Sequence, residues 1–164
     1  MAPKSYLLAT IHRAENTDDP ARLRAIFYAL AAVAREWPVV MPLHPRTRAA
    51  LAREGLADQP GIRIIDPVGY LEMAALERHA RMIVTDSGGV QKEAYFYRVP
   101  CVTLRDETEW VELVEVGWNR LVSPTDPNRI LQAIHAAHGT TGQDVNLYGG
   151  GDAASHIVDV LVNA

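Results

Sequence analysis

The stretch "MIVTDSGGVQKEA", residues 82–94, decides the fold. Met82 to Thr85 form a short apolar, partly β-branched run that reads as a strand buried on both faces. Asp86 ends it, and Ser87, Gly88 and Gly89 open the helix that follows. Glycine is a poor former of helix and strand alike, so two in a row at this junction imply that something comes close to the backbone. The first N–H groups of a helix have no internal partner and sit at the positive end of its dipole, and glycines let a phosphate reach them. Glu93 follows Gly89 by about one helical turn and projects from the same side. A carboxylate there cannot bind phosphate but can accept two hydrogen bonds from a vicinal diol such as ribose. The spacing alone is equally compatible with a plain junction in which Ser87 or Asp86 caps the helix and Glu93 is solvated.

Working outward, similar apolar runs recur at 5–10, 39–43, 62–65, 101–104 and 120–122. Helical patterns separate them. The clearest stripe is Leu23, Ile26, Phe27, Leu30, Val33, Ala34 and Trp37, preceded by Asp19-Pro20, a capping residue followed by proline at the first helical position. Asp126-Pro127 repeats that signal before Ile130, Leu131 and Ile134, and a last helix is expected from about Asp152 with Ile157, Val160 and Leu161 as its apolar side. Strand and helix alternating about six times predict an α/β, Rossmann-like parallel sheet of about six strands with helices on both faces. The segment "TTGQDVNLYGGGD" is the loosest part, either an ordered crossing loop or a mobile one.

The chain has 164 residues, which suits one domain. A net charge of −4 argues against a broad basic face for nucleic acid. The single cysteine, Cys101, allows no internal disulfide and fits a reducing compartment. No apolar run reaches the length of a membrane span, and the opening "MAPKSYLLATIHRAEN" does not read as a leader peptide but as a strand entered abruptly, as in one piece of a longer protein. The glycine loop is not a Walker A motif, no G-x-G-x-x-G follows the first strand, and no Cys/His spacing suits a structural zinc, so neither a nicotinamide cofactor nor a metal is expected.

Ligands of such sheets bind beyond the carboxyl ends of the strands, which here carry "HRAEN", "HPRTR", "DPVGY", "DSGG" and "RDETEW". His12 and Arg13, beside a phosphate loop, would offset the charge of a diphosphate and stabilise a departing one. His44 reads at least as well as a structural loop histidine. Arg105 reaches either a phosphate or one of Asp106, Glu107 and Glu109, and Trp110 either stacks on a base or plugs the next helix into the core.

The ordered set "TIHRAEN", "PLHPRTR", "IDPVGYLEM", "VTDSGGVQKEA", "VPCVTLRDETEWVELVEVGWNRLV" and "NLYGGGDAASHIVDVL" resembles the carboxyl-terminal half of the non-hydrolysing UDP-N-acetylglucosamine 2-epimerases. The resemblance covers nearly the whole chain and implies one half of a GT-B fold, a single UDP-binding domain over 1–164. It implies diphosphate binding by Ser87, Gly88 and Gly89, ribose binding by Glu93, and a catalytic His12 near the leaving diphosphate. Val68 and Met73 match positions around the uracil that are commonly Gln and Phe, and Trp110 falls where some members carry a diphosphate-binding Arg. Arg13 and His44 match positions of a regulatory site in members that bind a second UDP-sugar.

The implied partners are UDP and a UDP-N-acetylhexosamine, a missing amino-terminal domain bearing the acid/base carboxylates, and a second copy in a homodimer of the longer protein. No cofactor, nucleic acid or membrane is implied, and the setting is cytoplasmic synthesis of cell-envelope polysaccharide. The chemistry implied is inversion at C2 of the sugar through loss and re-addition of UDP, with the 164 residues alone inactive. The alternatives are the UDP-sugar half of a GT-B glycosyltransferase, an epimerase of UDP-diacetamido uronic acids, and a non-catalytic UDP-sugar sensor.

Overall fold

The computed structural model describes residues 3–163; the first two residues and the last of the expected 1–164 span lie outside it. Six strands form one parallel sheet: β1 (Leu7–Thr10), β2 (Val39–Pro42), β3 (Ile62–Ile65), β4 (Met82–Thr85), β5 (Cys101–Leu104) and β6 (Asn119–Val122). Their order across the sheet is β3-β2-β1-β4-β5-β6. The chain therefore runs outward from β1 to β3, then returns to the other side of β1 to lay down β4, β5 and β6. The reversal leaves a crevice between the carboxyl ends of β1 and β4, the position at which doubly wound sheets bind ligands.

Alternation along each strand sorts side chains to two faces. Leu7, Ala9, Met41, Val84 and Val102 pack with Leu23, Ile26, Phe27 and Leu30 of α2 (Pro20–Val33), Leu51 of α3 (Pro45–Arg53) and Ile130 and Ile134 of α7 (Pro127–Ala137). Leu8, Val40, Ile83 and Cys101 face α4 (Tyr70–His79) and α5 (Gly88–Phe96), packing against Val90, Ala94 and, partly buried, Met73 and Leu76. Two short helices, α1 (Ala14–Thr17) and α6 (Val111–Glu115), follow β1 and β5, and α8 (Ala153–Asn163) ends the described chain.

The expectation of strands buried on both faces holds for the middle of the sheet. At its edges β3 is only partly covered and exposes Arg63, and β6 exposes Leu121, because each has a neighbour on one side alone. The expected apolar side of the last helix, Ile157, Val160 and Leu161, is exposed. The loose segment before it is an ordered strap: the Gln143 N–H donates to the Val116 carbonyl at 2.8 Å, the Trp118 indole to the Gln143 carbonyl at 2.9 Å, and the Tyr148 hydroxyl to Glu112 at 2.6 Å.

Both Asp-Pro starts behave as the sequence demands. Asp19 accepts from the N–H groups of Ala21 and Arg22 at 2.8 and 3.3 Å, and Asp126 accepts from Asn128 at 2.8 Å. Asp19→Ala leaves two amides of α2 to water and is expected to lower the unfolding free energy by about 1 kcal/mol, read as an earlier urea midpoint with an unchanged slope.

Candidate functional site

The loops after β1 and β4 flank the crevice, and one buried carboxylate ties them together. Asp86 has no exposed surface. It accepts from the backbone N–H of His12 at 3.1 Å and of Arg13 at 3.0 Å, and from the Asn16 amide at 3.1 Å. The His12 ring completes the set, with Nδ1 3.2 Å from Asp86. The second hydrogen of the Asn16 amide reaches the Leu104 carbonyl at 3.1 Å, so the loop after β5 joins the same knot. The Thr10 and Thr85 hydroxyls bond to each other at 2.6 Å, and the Thr85 hydroxyl accepts from the Ser87 N–H at 2.9 Å. The hydrogen bond that the ring donates to Asp86 raises the His12 pKa above its ordinary value against the opposing cost of burial. With Nδ1 held by Asp86, Nε2 is left for a ligand, and the ring is biased toward its cationic form.

Ser87 caps α5 by accepting from the Val90 N–H at 3.5 Å. Gly88 and Gly89 then occupy the first turn, where amides are unpartnered and the helix dipole is positive. The two glycines differ. A Cβ on Gly88 would lie 2.2 Å from a Glu109 carboxylate oxygen, the far end of a flexible side chain that would have to move aside. A Cβ on Gly89 would meet only the Ser87 hydroxyl at 3.9 Å, so this face of the turn is open. Behind the helix, Gln91 accepts from Thr108 at 2.6 Å and from Asn119 at 3.0 Å, and it donates to the Ser87 carbonyl at 3.2 Å. This buried network fixes α5 against β5 and β6.

A cavity of about 240 Å³ opens beside this loop, at the carboxyl ends of β1, β2 and β3. His12, His44, Val68 and Met73 share its wall with Pro67 and Val90. Four residues singled out in the sequence, from three separate loops and one helix, are thus brought to one place, with apolar walls and two imidazoles. His44 also caps α3, its Nδ1 accepting from the Arg46 N–H at 3.3 Å. A larger cavity of about 540 Å³ runs between Tyr6, Val40 and Leu76, with Arg63, Glu72 and His79 also in its wall; it shares Val68 with the smaller one but includes neither His12 nor His44.

The remaining candidates stand apart from that cavity. The Arg13 guanidinium lies 3.5 Å from Glu15, and Arg105 pairs with Glu109 at 2.6 Å. Trp110 donates its indole N–H to the Gly88 carbonyl at 2.9 Å and packs in the cluster of Tyr95, Leu113 and Trp118, with the Lys92 ammonium 4.2 Å from its ring centre. It braces the glycine loop from behind. Glu93, on α5, is half-buried and faces α4, where the Glu77 carboxyl is its neighbour. The sequence offers Asp86 only as a helix cap, a role that Ser87 takes instead, and it does not point to Glu77. A conspicuous pointer to Asp86 was its place between a strand and a Ser-Gly-Gly turn; a glutamate inside a helical stretch, like Glu77, gives no such signal. No group of three or more His, Cys, Asp and Glu suited to a metal ion occurs among the described residues.

Known structures share this fold. A structure of the UDP-GlcNAc 2-epimerase from Methanocaldococcus jannaschii superposes on all of this chain with a TM-score of 0.91 at 38% identity, and the match covers 47% of that protein. A second structure of that enzyme, in complex with UDP-GlcNAc and UDP, gives a TM-score of 0.87 over 99% of this chain and 46% of its own. In sequence, the UDP-2,3-diacetamido-2,3-dideoxy-D-glucuronate 2-epimerase of Pseudomonas aeruginosa is 52% identical over 158 residues, 95% of this chain and 44% of that one. The chain spans about half the length of the curated relatives it matches. The model of the UDP-N-acetylglucosamine 2-epimerase family matches residues 1–162, and the chain belongs to that family.

Proposed function

We propose that this chain is the UDP-binding half of a two-domain UDP-N-acetylglucosamine 2-epimerase. The observation that carries the reading is the crevice between β1 and β4, where Asp86 locks His12 beside the open amides of Gly88 and Gly89. A diphosphate seated on those amides gains several hydrogen bonds and the dipole of α5. Uracil fits the cavity walled by Val68 and Met73, and Glu93 takes the ribose diol. As the C1–O bond to UDP breaks, negative charge grows on the diphosphate, and a cationic His12 held by Asp86 stabilises it more than the bound substrate. Removal and return of the C2 proton fall to carboxylates of an amino-terminal half, so the 164 residues bind without turnover. To Arg13, in the loop after β1, and His44, in the cavity wall, we assign the regulatory UDP-sugar contact that the resemblance implies. The setting we assign is cytoplasmic synthesis of cell-envelope polysaccharide.

Titration calorimetry of UDP against the chain tests the core of this reading. Glu93→Ala is expected to weaken UDP by about 1.5–3 kcal/mol, roughly ten- to a hundred-and-fifty-fold, through loss of a charged bidentate contact. Unchanged affinity overturns the ribose assignment, and epimerisation by the isolated chain overturns the division of labour.

The 52% identity to the diacetamidoglucuronate epimerase favours a second reading, in which the same half serves that UDP-sugar. The sugar packs mostly against the other domain in either case. Incubation of the full-length protein with each UDP-sugar, followed by NMR of the C2 proton in deuterated water, separates the two.

A further inference from the structure

The one fully buried residue of α4 is an acid, Glu77, 1% exposed. Among the described residues neither of its carboxyl oxygens has a hydrogen-bond partner. An ionised carboxylate in that position would be buried and uncompensated, a state that proteins avoid by keeping the proton. The acceptor available to that proton is Glu93, across the packed α4–α5 joint. We propose that Glu77 is a positioning residue: its carboxylic acid donates a hydrogen bond to Glu93 and thereby holds the Glu93 carboxylate in the orientation that receives the ribose diol. The inference rests on the assignment of Glu93 to the ribose.

Burial first, then the charge and hydrogen bond of Glu93, push the Glu77 pKa up to about 8. The other ionisable groups near the pair are Tyr97 at the end of α5, Tyr70 and Arg78 on α4, and Cys101 of β5. Burial raises the Tyr97 and Cys101 pKa values, the latter to about 12, so neither supplies a proton near pH 8. Above that pH Glu77 ionises, the donor is lost, and two carboxylates repel across the joint.

Three proteins and two ligands test this. UDP and 2′,3′-dideoxyuridine diphosphate are titrated into wild type, Glu77→Gln and Glu77→Leu between pH 6.5 and 9. Wild-type affinity for UDP is expected to fall about tenfold as pH passes through 8, relative to Glu77→Gln, which keeps a donor and cannot ionise. Glu77→Leu should bind UDP about tenfold more weakly at pH 7 yet bind the dideoxy ligand as wild type does. Stability gives a ligand-free readout. The folded chain holds a proton that the unfolded chain releases near 4.5, so wild-type unfolding free energy falls between pH 5 and 8, and Glu77→Gln flattens that slope. Wild-type and Glu77→Gln proteins with the same pH profile for UDP, or Glu77→Leu weakening both ligands alike, overturn the proposal. If Glu93→Ala leaves UDP affinity intact, the ribose assignment fails instead, and the stability slope still reports whether Glu77 holds its proton.

Discussion

Asp86→Ala is expected to lower the unfolding free energy by about 3–5 kcal/mol and to return the His12 pKa toward that of an ordinary histidine. The size follows from what one carboxylate satisfies: two backbone amides, one side-chain amide and an imidazole, all pointing at a group with no exposed surface. Alanine leaves those donors facing each other with nothing to accept them, and water cannot enter without opening the joint between the β1 and β4 loops. Asp86→Asn keeps the shape but turns an NH₂ toward at least one donor, so an intermediate loss is expected. The His12 pKa, followed by NMR, should drop in both variants.

The sign of the pH effect is fixed by the direction of the shift. The folded-state pKa of His12 is raised, so its pairing with Asp86 stabilises the fold fully below the unfolded value near 6.5 and ceases to do so as pH rises through the folded value. The difference in stability between wild type and Asp86→Ala should therefore be larger at pH 5.5 than at pH 8. The slope contributed by Glu77 has the same sign but is common to both proteins and cancels in that difference.

What the sequence discloses about this chain follows from the range of the interactions involved. The six strands and the two Asp-Pro helix starts are local: a run such as "CVTL" or a cap such as Asp19 carries its signal within a few residues. The crevice was legible as a set of loop residues because a parallel sheet brings all its carboxyl ends to one edge. Nothing local reports which donors a given loop carboxylate receives. Asp86 is satisfied by residues 70 to 74 positions away, and Glu77 is buried by a helix that the chain makes 11 positions later. The same holds for Gln91, whose partners Thr108 and Asn119 lie in the loop after β5 and in β6. Trp110 allowed two readings in the sequence; its bond to the Gly88 carbonyl gives it a bracing role that neither periodicity nor composition could have supplied. Edge strands were read as fully buried because Ile62, Ile64 and Ile65 look the same in a list of residues whether or not a neighbour covers them.

Gly89→Asp is expected to leave the fold intact or slightly more stable while reducing UDP affinity more than a hundredfold. The two effects have opposite signs because they have different causes. Among the described residues no atom requires glycine at this position: the added Cβ meets only the Ser87 hydroxyl at 3.9 Å, and the backbone is helical. Alanine in place of a helical glycine gains about 0.5–1 kcal/mol and aspartate less, but a carboxylate in the first turn of α5 gains a further ~0.3–1 kcal/mol from the dipole. A diphosphate on the same amides meets that carboxylate at roughly 5 Å, which at an effective dielectric of about 20 costs about 3 kcal/mol for each pair of charges. Gly89→Ala, without the charge, should share the gain in stability and lose only severalfold in affinity. Gly88 offers the internal contrast, since a side chain there must also displace the Glu109 carboxylate from its pair with Arg105. Thermal unfolding and UDP titration of the Gly89 variants thus separate a glycine kept for the chain from one kept for a ligand. A stabilised Gly89→Asp protein that still binds UDP at full strength would place the diphosphate away from the start of α5.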